Sequence, residues 1–254
     1  MKTFIRGIYA EILKMRHTFL FPFYLGIPIL GCAVFLLYFR FSGGNGRGQI
    51  SGYMEVIGAA LPFVVSIVCS GNIRLEEQNH FQVLLGGPAA RWKGLAVKFL
   101  ALAGLGFLAT AGAAVLFGAG YRLLPAGAGQ HLSAGAYLKL GAVLFLGSVP
   151  LYLEHLFLNL AFSGTVSQCA GVAQSLLAAL FLTGLGDGRW QFFPCAWSAR
   201  GTGLALNGVY QEQLRSIYDS EVRKTALICL LLLVLICAII GLWYHYYEGR
   251  QCND

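Results

Sequence analysis

Six apolar runs dominate the sequence, and each is about as long as a membrane is thick. The runs cover residues 18–39, 51–70, 94–118, 136–161, 166–185 and 225–246. A helix needs about 20 apolar residues to cross a hydrocarbon core of about 30 Å. Because lipid offers no hydrogen-bonding partner to the backbone, such runs predict α-helices. We therefore predict an all-α integral membrane protein whose six transmembrane helices form one domain over residues 1–254.

The composition supports this class. The chain is 57% hydrophobic and only 11% charged, whereas a soluble domain carries about 25% charged residues. Its net charge of +7 would suit a nucleic-acid partner in a soluble protein. Here most Lys and Arg residues flank the apolar runs, where they face anionic lipid headgroups. We predict contact with membrane lipid and no nucleic-acid partner.

Residues 1–17 precede the first apolar run and show the spacing of an amphipathic helix. Apolar residues recur on one face, with Lys2, Arg6 and Lys14 on the other; the apolar set is Phe4, Ile5, Ile8, Tyr9, Ile12 and Leu13. This pattern is typical of a helix that lies in the membrane interface. The alternative is a plain extension of the first spanning helix.

The distribution of Lys and Arg over the whole chain does not decide which side of the membrane holds the N-terminus. The N-terminal segments do indicate a side. The two sides of the predicted bundle carry similar numbers of basic residues, but the side that holds the N-terminus has more in its first two segments. Early segments usually dominate orientation, and long loops translocate regardless of charge. We predict a multi-pass membrane protein with a cytoplasmic N-terminus.

Residues 71–93, between the second and third runs, read GNIRLEEQNHFQVLLGGPAARWK. Good helix formers predict a short cytoplasmic helix from Glu76 to Leu85, with its acidic residues at the N-terminal end of the helix dipole. Gly86, Gly87 and Pro88 would end it. Such a helix is well placed to dock into a groove of another protein. A solvated turn is the equally balanced alternative.

Residues 186–224 form the longest connection and are rich in aromatic residues. Trp190, Phe193, Pro194 and Trp197 make it too apolar for a free loop, yet it is too interrupted to span. We predict a re-entrant hairpin that dips into the outer leaflet, where protein or water satisfies the irregular backbone. The alternative is an aromatic belt at the interface.

Few ionisable residues lie within the apolar runs. Glu154 and His155 are adjacent in the fourth run, so they point to different helix faces and form no obvious acid–base pair. Intramembrane charges mark functional sites by default. We favour structural anchoring for this pair, with a place on a translocation path as the alternative. Glu55, near the outer end of the second run, is a further candidate for the translocation path, with simple contact with the interface as the alternative. Lys98 is expected to snorkel to the interface.

No enzyme motif stands out. The sequence has no phosphate-binding GxxxxGK[ST] loop and no HExxH zinc motif. Ser163-Gly164 with His245 lacks the preceding glycine of an intramembrane serine protease, and Glu76-Glu77 lacks the arginine of a diglutamate protease. The seven cysteines have no metal-binding spacing, and no disulfide framework is expected. We predict no catalytic residue and no metal site.

The order of these segments resembles the permeases of ABC transporters of the type-2 exporter class. Two stretches resemble lantibiotic-immunity permeases more closely. Residues Ala10–Phe19 are similar to the opening of these subunits, and residues Glu77–Lys98 are similar to their coupling-helix region. The topology match covers the whole chain, and the motif match covers about 35 residues.

The resemblance implies a function and partners. A cytoplasmic ATPase subunit would hold ATP and Mg²⁺, so this chain would bind no cofactor and would not be an enzyme. A second permease subunit, homologous or identical, would complete the pore. The outer segment would form an extracellular gate with Phe193, Pro194 and Trp197. The coupling residues contacting the ATPase would be Glu76, Glu77, Gln78, Asn79, His80, Phe81 and Gln82.

The implied cargo is an amphipathic antimicrobial peptide of the lantibiotic type, which the transporter would expel to give resistance. Two other readings stay open from the residues themselves. One is a non-transporting membrane scaffold or sensor that uses the same loop to bind a cytoplasmic partner. The other is a membrane enzyme without a familiar motif.

Overall fold

A computed structural model describes residues 2–42, 45–85, 91–124, 132–210 and 215–247. Within these ranges the chain forms nine α-helices and no strand, and two 3₁₀ turns (Gly184–Gly186 and Trp190–Phe192) precede α8. The helices are α1 Lys2–Arg16, α2 Leu20–Phe41, α3 Gly46–Glu77, α4 Gln82–Leu85, α5 Arg91–Tyr121, α6 Ala134–Ala161, α7 Gly164–Leu180, α8 Pro194–Tyr210 and α9 Arg215–His245.

Five of the described helices are long and apolar enough to cross a membrane. They are Leu20–Phe41, Gly46–Glu77, Trp92–Tyr121, Ala134–Ala161 and Ser220–His245. This confirms the predicted class, an all-helical protein with several membrane-spanning segments. The predicted run 166–185 corresponds to α7, which has 17 residues and lies at the lower limit for a span. The six-span topology stays a prediction.

The long helices α2, α3, α5 and α6 run alternately between two ends of a bundle. We call the end that holds α1 the proximal end and the opposite end the distal end. Gly7 of α1 packs against Val97 near the start of α5. Gly118 near the end of α5 lies against Tyr137 near the start of α6. Tyr247, just after α9, donates a hydrogen bond to the carbonyl oxygen of Leu160 at 3.2 Å, so α6 and α9 both end proximally.

Helix α3 is the centre of the bundle, while α2 and α9 lie at its margin. In the most apolar part of α3, 67% of residues are buried, against 17% in α2 and 11% in α9. The uncovered faces of α2 and α9 carry large apolar side chains such as Leu37 and Leu231. A spanning helix that is apolar on its uncovered face suits contact with lipid.

Two apolar cores follow one another along the helix axes. The proximal core includes Met15, Leu20, Val68, Leu102 and Tyr244. The distal core is more aromatic, and its Tyr53 and Phe117 rings stack at 3.8 Å between centroids. Offset or stacked aromatic pairs add stabilisation beyond the apolar area they bury.

Helices α7 and α8 lie one after the other along α3, with α7 nearer its proximal end and α8 nearer its distal end. Gly164 of α7 lies beside Ser70, and Ala178 packs with Ala59. At about 1.5 Å per residue, Ala59 lies about 20 Å from the distal start of α3. Helix α8 then continues distally, because Asn207 accepts a hydrogen bond from Arg47 Nη2 at 2.8 Å.

The predicted hairpin over 186–224 therefore needs correction at its C-terminal end. The last helix begins at Arg215, well before residue 225. The segment before it is the regular helix α8, packed between α3 and α6. Small residues allow this packing: a Cβ on Gly58 would lie 2.6 Å from Ala199 Cα, and one on Gly147 would lie 2.5 Å from Ser198 N. The low hydropathy of α8 thus reflects helix contacts.

Arg200 of α8 holds the turn after α7. Its guanidinium donates to the carbonyl oxygens of Phe181 (2.5 Å) and Thr183 (2.6 Å). It also forms an ion pair with Asp187 at 2.9 Å. A cation at a helix C-terminus satisfies carbonyl groups that lack intrahelical partners and complements the helix dipole.

Candidate functional site

The region between α3 and α5 differs from the predicted short helix. Helix α3 continues through Glu77, a turn follows, and α4 has four residues. His80 and Phe81 in the turn have φ angles of 50° and 56°, a left-handed conformation that ends a helix. The prediction of one helix from Glu76 to Leu85 is therefore wrong. The two glutamates lie in the last turn of a long helix instead of the first turn of a short one.

A carboxylate in the last turn of a helix is disfavoured by the helix dipole, so Glu76 needs compensation. Two lysine ammonium groups provide it: Nζ of Lys98 lies 2.9 Å from Glu76 Oε1, and Nζ of Lys14 lies 3.0 Å from it. The backbone N–H of Phe81 donates to the Glu76 carbonyl oxygen at 2.9 Å. The Phe81 side chain, 2% exposed, anchors the turn in the proximal core.

Lys98 is the centre of a buried ion cluster. Its ammonium group contacts Glu11 Oε2 at 2.8 Å as well as Glu76, and it donates to Asn72 Oδ1 at 3.3 Å. Lys14 contacts the other oxygen of Glu11 at 2.8 Å. The prediction that Lys98 snorkels is wrong, because its side chain turns into the protein and the residue is 2% exposed.

The cluster joins three elements, since its members come from α1, α3 and α5. Two carboxylates face two ammonium groups, so the buried charges balance. Burial alone would raise the pKa of Glu11, but the charges and hydrogen bonds of Lys98 and Lys14 hold it below its usual 4.5. Burial would lower the pKa of Lys14, but hydrogen bonds and charges from Glu11 and Glu76 raise it above its usual 10.5. Both groups stay charged at neutral pH.

The predicted coupling residues divide into an inward and an outward set. Glu76 and Phe81 are buried, and Glu77 is half-buried. The outward set is exposed at the proximal end and consists of Gln78, Asn79, His80 and Gln82. The Asn79 amide donates to the Leu75 carbonyl oxygen at 3.0 Å, which holds the outward set against the end of α3. Contact of these residues with an ATPase stays a prediction.

A second polar cluster links α6 to α7 within the bundle. Gln174 bridges the two adjacent residues of α6: its amide nitrogen donates to Glu154 Oε1 at 2.6 Å, and its oxygen lies 3.1 Å from His155 Nε2. His155 Nδ1 lies 3.0 Å from Ser167 Oγ. Asn159 donates to that same hydroxyl oxygen at 2.9 Å.

The donors and acceptors of this cluster match. A carbonyl oxygen only accepts, so His155 Nε2 carries the proton toward Gln174 and Nδ1 accepts from the Ser167 hydroxyl. The Ser167 oxygen then accepts from Asn159. Because each polar group has a partner, the geometry suits structural anchoring of α7 on α6. The side chains of Glu154 and His155 point in different directions, as expected. Gln174 nevertheless forms a hydrogen bond with each of them.

The predicted gate residues surround the start of α8. Phe193 is exposed, and its ring lies 4.6 Å from that of Phe181. Pro194 is the first residue of α8, the position where a missing N–H costs nothing. Trp197 is 5% exposed and donates through Nε1 to the Gln191 carbonyl oxygen at 2.8 Å. Glu55 lies more distally and accepts from Ser51 Oγ at 2.7 Å.

Among the residues that the structure describes, no three His, Cys, Asp or Glu side chains are grouped so that they could hold a metal ion. Six cysteines within that part are unpaired, namely Cys32, Cys69, Cys169, Cys195, Cys229 and Cys237.

The Glu11–Lys98 pairing was missed from the sequence. The sequence offered one signal for this pairing: each of the two residues is a charged residue within an otherwise apolar stretch.

Comparison of the chain with models of known protein families, with curated proteins and with solved structures finds no match. A functional proposal therefore rests on the geometry of the chain and on the resemblance in its motifs.

Proposed function

We propose that this chain is the membrane-spanning permease subunit of an ABC transporter in the bacterial plasma membrane. A separate cytoplasmic subunit hydrolyses ATP, and a second permease subunit completes the path. The cargo is an amphipathic antimicrobial peptide of the lantibiotic type. The observation that carries the proposal is the exposed proximal turn at Gln78–His80, fixed to three helices by the buried ion cluster.

The ion cluster supports a mechanical role for this turn. A force applied at Gln78 passes at once to Glu76, whose carboxylate contacts Lys14 and Lys98. These lysines belong to α1 and α5, so movement of the turn would strain its ion pairs with both helices. Coupling between sites needs such a contiguous network of packed or paired groups. A partner that pushes on the turn would therefore move several spans together.

The path of α7 and α8 supports six crossings. Helix α6 ends proximally at Ala161, and α9 also ends proximally, where Tyr247 meets Leu160. Helix α9 has 31 residues, or about 46 Å of helix, so it begins far from that end. The chain between α6 and α9 must cover the same distance. In this proposal, α7 and α8 cover that distance in two pieces and together form the fifth crossing.

The proposal is tested by asking whether the exposed turn binds an ATPase. The tagged full-length chain is purified from its own host in mild detergent, and co-purifying proteins are assayed for ATP hydrolysis. Gln78→Glu with Gln82→Glu places two unpaired negative charges on the turn. We expect co-purified ATPase to fall about tenfold or more, because uncompensated charge opposes docking.

The matched control is Lys139→Glu, which changes the net charge equally at an exposed distal position. It should leave ATPase recovery unchanged. Glu76→Gln provides a second arm: the ATPase should still bind, while resistance of the cells to the peptide falls. If no ATPase co-purifies with the unaltered chain, the transporter loses its energy source and the scaffold or sensor reading takes its place.

A further inference from the structure

A polar cavity lies at the proximal end, on the side of α3 that faces α7. Its volume is about 260 Å³, and its wall is formed by the last turns of α3, the α6–α7 junction and Phe19 before α2. This volume equals roughly eight or nine water molecules at about 30 Å³ each. The cavity is therefore large enough for a small polar headgroup.

The wall of the cavity carries both signs of charge. Arg74 and Glu77, one helical turn apart on α3, both line it. Ser70, Thr165 and Gln168 add hydroxyl and amide groups. A guanidinium binds phosphate oxygens well, and a carboxylate accepts hydrogen bonds from an ammonium group. A ligand with both groups would be matched better than a simple anion, which Glu77 would repel.

The position of the cavity along the bundle also constrains its ligand. Its charged residues lie in the final turns of a membrane-spanning helix, whereas Ile67 lies deeper in that helix. Phe19, whose ring lies against Gly71 of α3, also lines the cavity and is 54% exposed. Phospholipid headgroups lie at this level, with their acyl chains toward the membrane centre. The first residues of α7, beside the cavity, add the positive end of a helix dipole.

We propose that this cavity binds the headgroup of a zwitterionic phospholipid, with Arg74 on the phosphate and Glu77 on the ammonium group. Phosphatidylethanolamine has the required chemistry. Its phosphate accepts from Arg74 and from the hydroxyls of Ser70 and Thr165, and its ammonium donates to Glu77. Its acyl chains leave the cavity past Ile67 and Phe19. The bound lipid fills the space between α3 and the α6–α7 junction.

The test uses the full-length chain, purified in detergent and titrated with didecanoyl phosphatidylethanolamine, with bound lipid counted by native mass spectrometry. Arg74→Gln should weaken binding about tenfold or more, the scale of a charge-assisted hydrogen bond. Arg40→Gln, at an exposed arginine near the distal end of α2, is the matched control and should bind normally. Equal binding by the Arg74 and Arg40 variants would overturn the proposal.

Three further measurements distinguish phosphatidylethanolamine from other possible ligands. Didecanoyl phosphatidylglycerol lacks the ammonium group and should bind more weakly than phosphatidylethanolamine, and Glu77→Gln should remove that difference. Inorganic phosphate should not compete at equal concentration; if it does, the site is a free-anion site. If Arg74→Gln removes a co-purifying protein yet leaves lipid binding intact, the cavity is a protein contact and the lipid proposal fails.

Arg74 is exposed, so its replacement should not disturb folding, and the thermal unfolding midpoint of each variant verifies this. Thr165→Phe supplies an independent block, because a larger side chain on the cavity wall takes up the space of the headgroup. Unchanged lipid binding by this second variant would also count against the proposal.

Discussion

The two lysines of the ion cluster differ in their burial and in the number of partners that they contact. Lys98 is enclosed and has three partners, whereas the Lys14 side chain is 37% exposed and has two. An ion pair in contact with water contributes little to stability. A buried charge whose partner is removed is costly, because it has lost water as well. Lys98 should therefore dominate the energetics of the cluster.

The first prediction concerns Lys98. Lys98→Met leaves Glu11 and Glu76 without their central cation and should destabilise the protein by about 3–5 kcal/mol. Thermal unfolding of the purified chain in detergent measures this loss. Lys93→Met, at an exposed position on the same helix, should change stability by less than about 0.5 kcal/mol. Similar midpoints for the two variants would contradict the central role of Lys98.

The second prediction concerns pH. Glu11 has a lowered pKa in the folded protein, so its carboxylate stabilises the fold above its usual value of 4.5. That contribution is lost as pH falls through the lower folded value. Lys14 has a raised pKa, so its contribution is present below 10.5 and lost above.

The difference in unfolding midpoint between the unaltered chain and Glu11→Gln should therefore be largest near pH 7. It should shrink as pH falls below 4.5. Other carboxylates titrate in both proteins and cancel in this comparison. A difference that stays constant as pH falls from 7 to well below 4.5 would show that Glu11 does not act through its charge.

At the scale of elements, close approach of backbones positions α8. Gly58 and Gly147 line the two helices against which it packs, and the Ser198 hydroxyl donates to the Leu144 carbonyl oxygen at 2.8 Å. Without a strong hydrophobic force between helices in lipid, small residues and interhelical hydrogen bonds hold them together. The addition of a single methyl group to one of these glycines should therefore displace α8.

The third prediction tests this packing. A methyl group at Gly58 would meet backbone atoms of Ala199 at 2.6 Å, so Gly58→Ala must push the helices apart and should cost about 1–3 kcal/mol. Gly52→Ala in the same helix has open space, with nothing within 4 Å. It should stabilise the chain by about 0.5–1 kcal/mol through helix propensity. The thermal unfolding midpoints of the two variants, measured under the same conditions, show whether Gly58→Ala lowers stability while Gly52→Ala raises it.

The elements show what the sequence could and could not predict. Apolar length located the five helices that are long enough to cross a membrane, because transfer of an apolar helix into lipid depends mainly on the composition and length of that segment. Helix α8 was missed because its Gly, Ser and Thr residues lower its hydropathy while packing against α3 and α6. The ion cluster was missed because Glu11, Glu76 and Lys98 lie far apart in sequence. Only the packing of α1 brings them together.

At the scale of the whole molecule, the two ends differ in chemistry. The proximal end holds the ion cluster, the exposed turn and the polar cavity. The distal end holds aromatic packing and the Arg47–Asn207 hydrogen bond at 2.8 Å. If the proposed ATPase subunit binds at the exposed turn, it would act on the end of the bundle that holds the ion cluster.

The fourth prediction tests how the chain is threaded through the membrane. Single cysteines replace His17, Arg40, Lys224 and Tyr246 in a variant whose own cysteines are replaced by serine or alanine. A membrane-impermeant maleimide added to intact cells should label Arg40→Cys and Lys224→Cys. It should reach His17→Cys and Tyr246→Cys only after permeabilisation. Labelling of Tyr246→Cys without labelling of His17→Cys in intact cells would mean that α7 and α8 do not complete a crossing, whereas labelling of both would mean that the orientation is inverted.

The proposal that α7 and α8 together form one crossing also bears on how the chain is inserted into the membrane. The apolar part of α9 has a mean hydropathy of 3.1 and can leave the translocation machinery for lipid unaided. Helix α7 has 17 residues, and α8 carries small and polar side chains suited to protein surroundings. We expect both to become stable only after α3 and α6 are in the membrane to receive them. Residues 164–210, unlike α9, would therefore be inserted against helices that the preceding part of the chain has already placed.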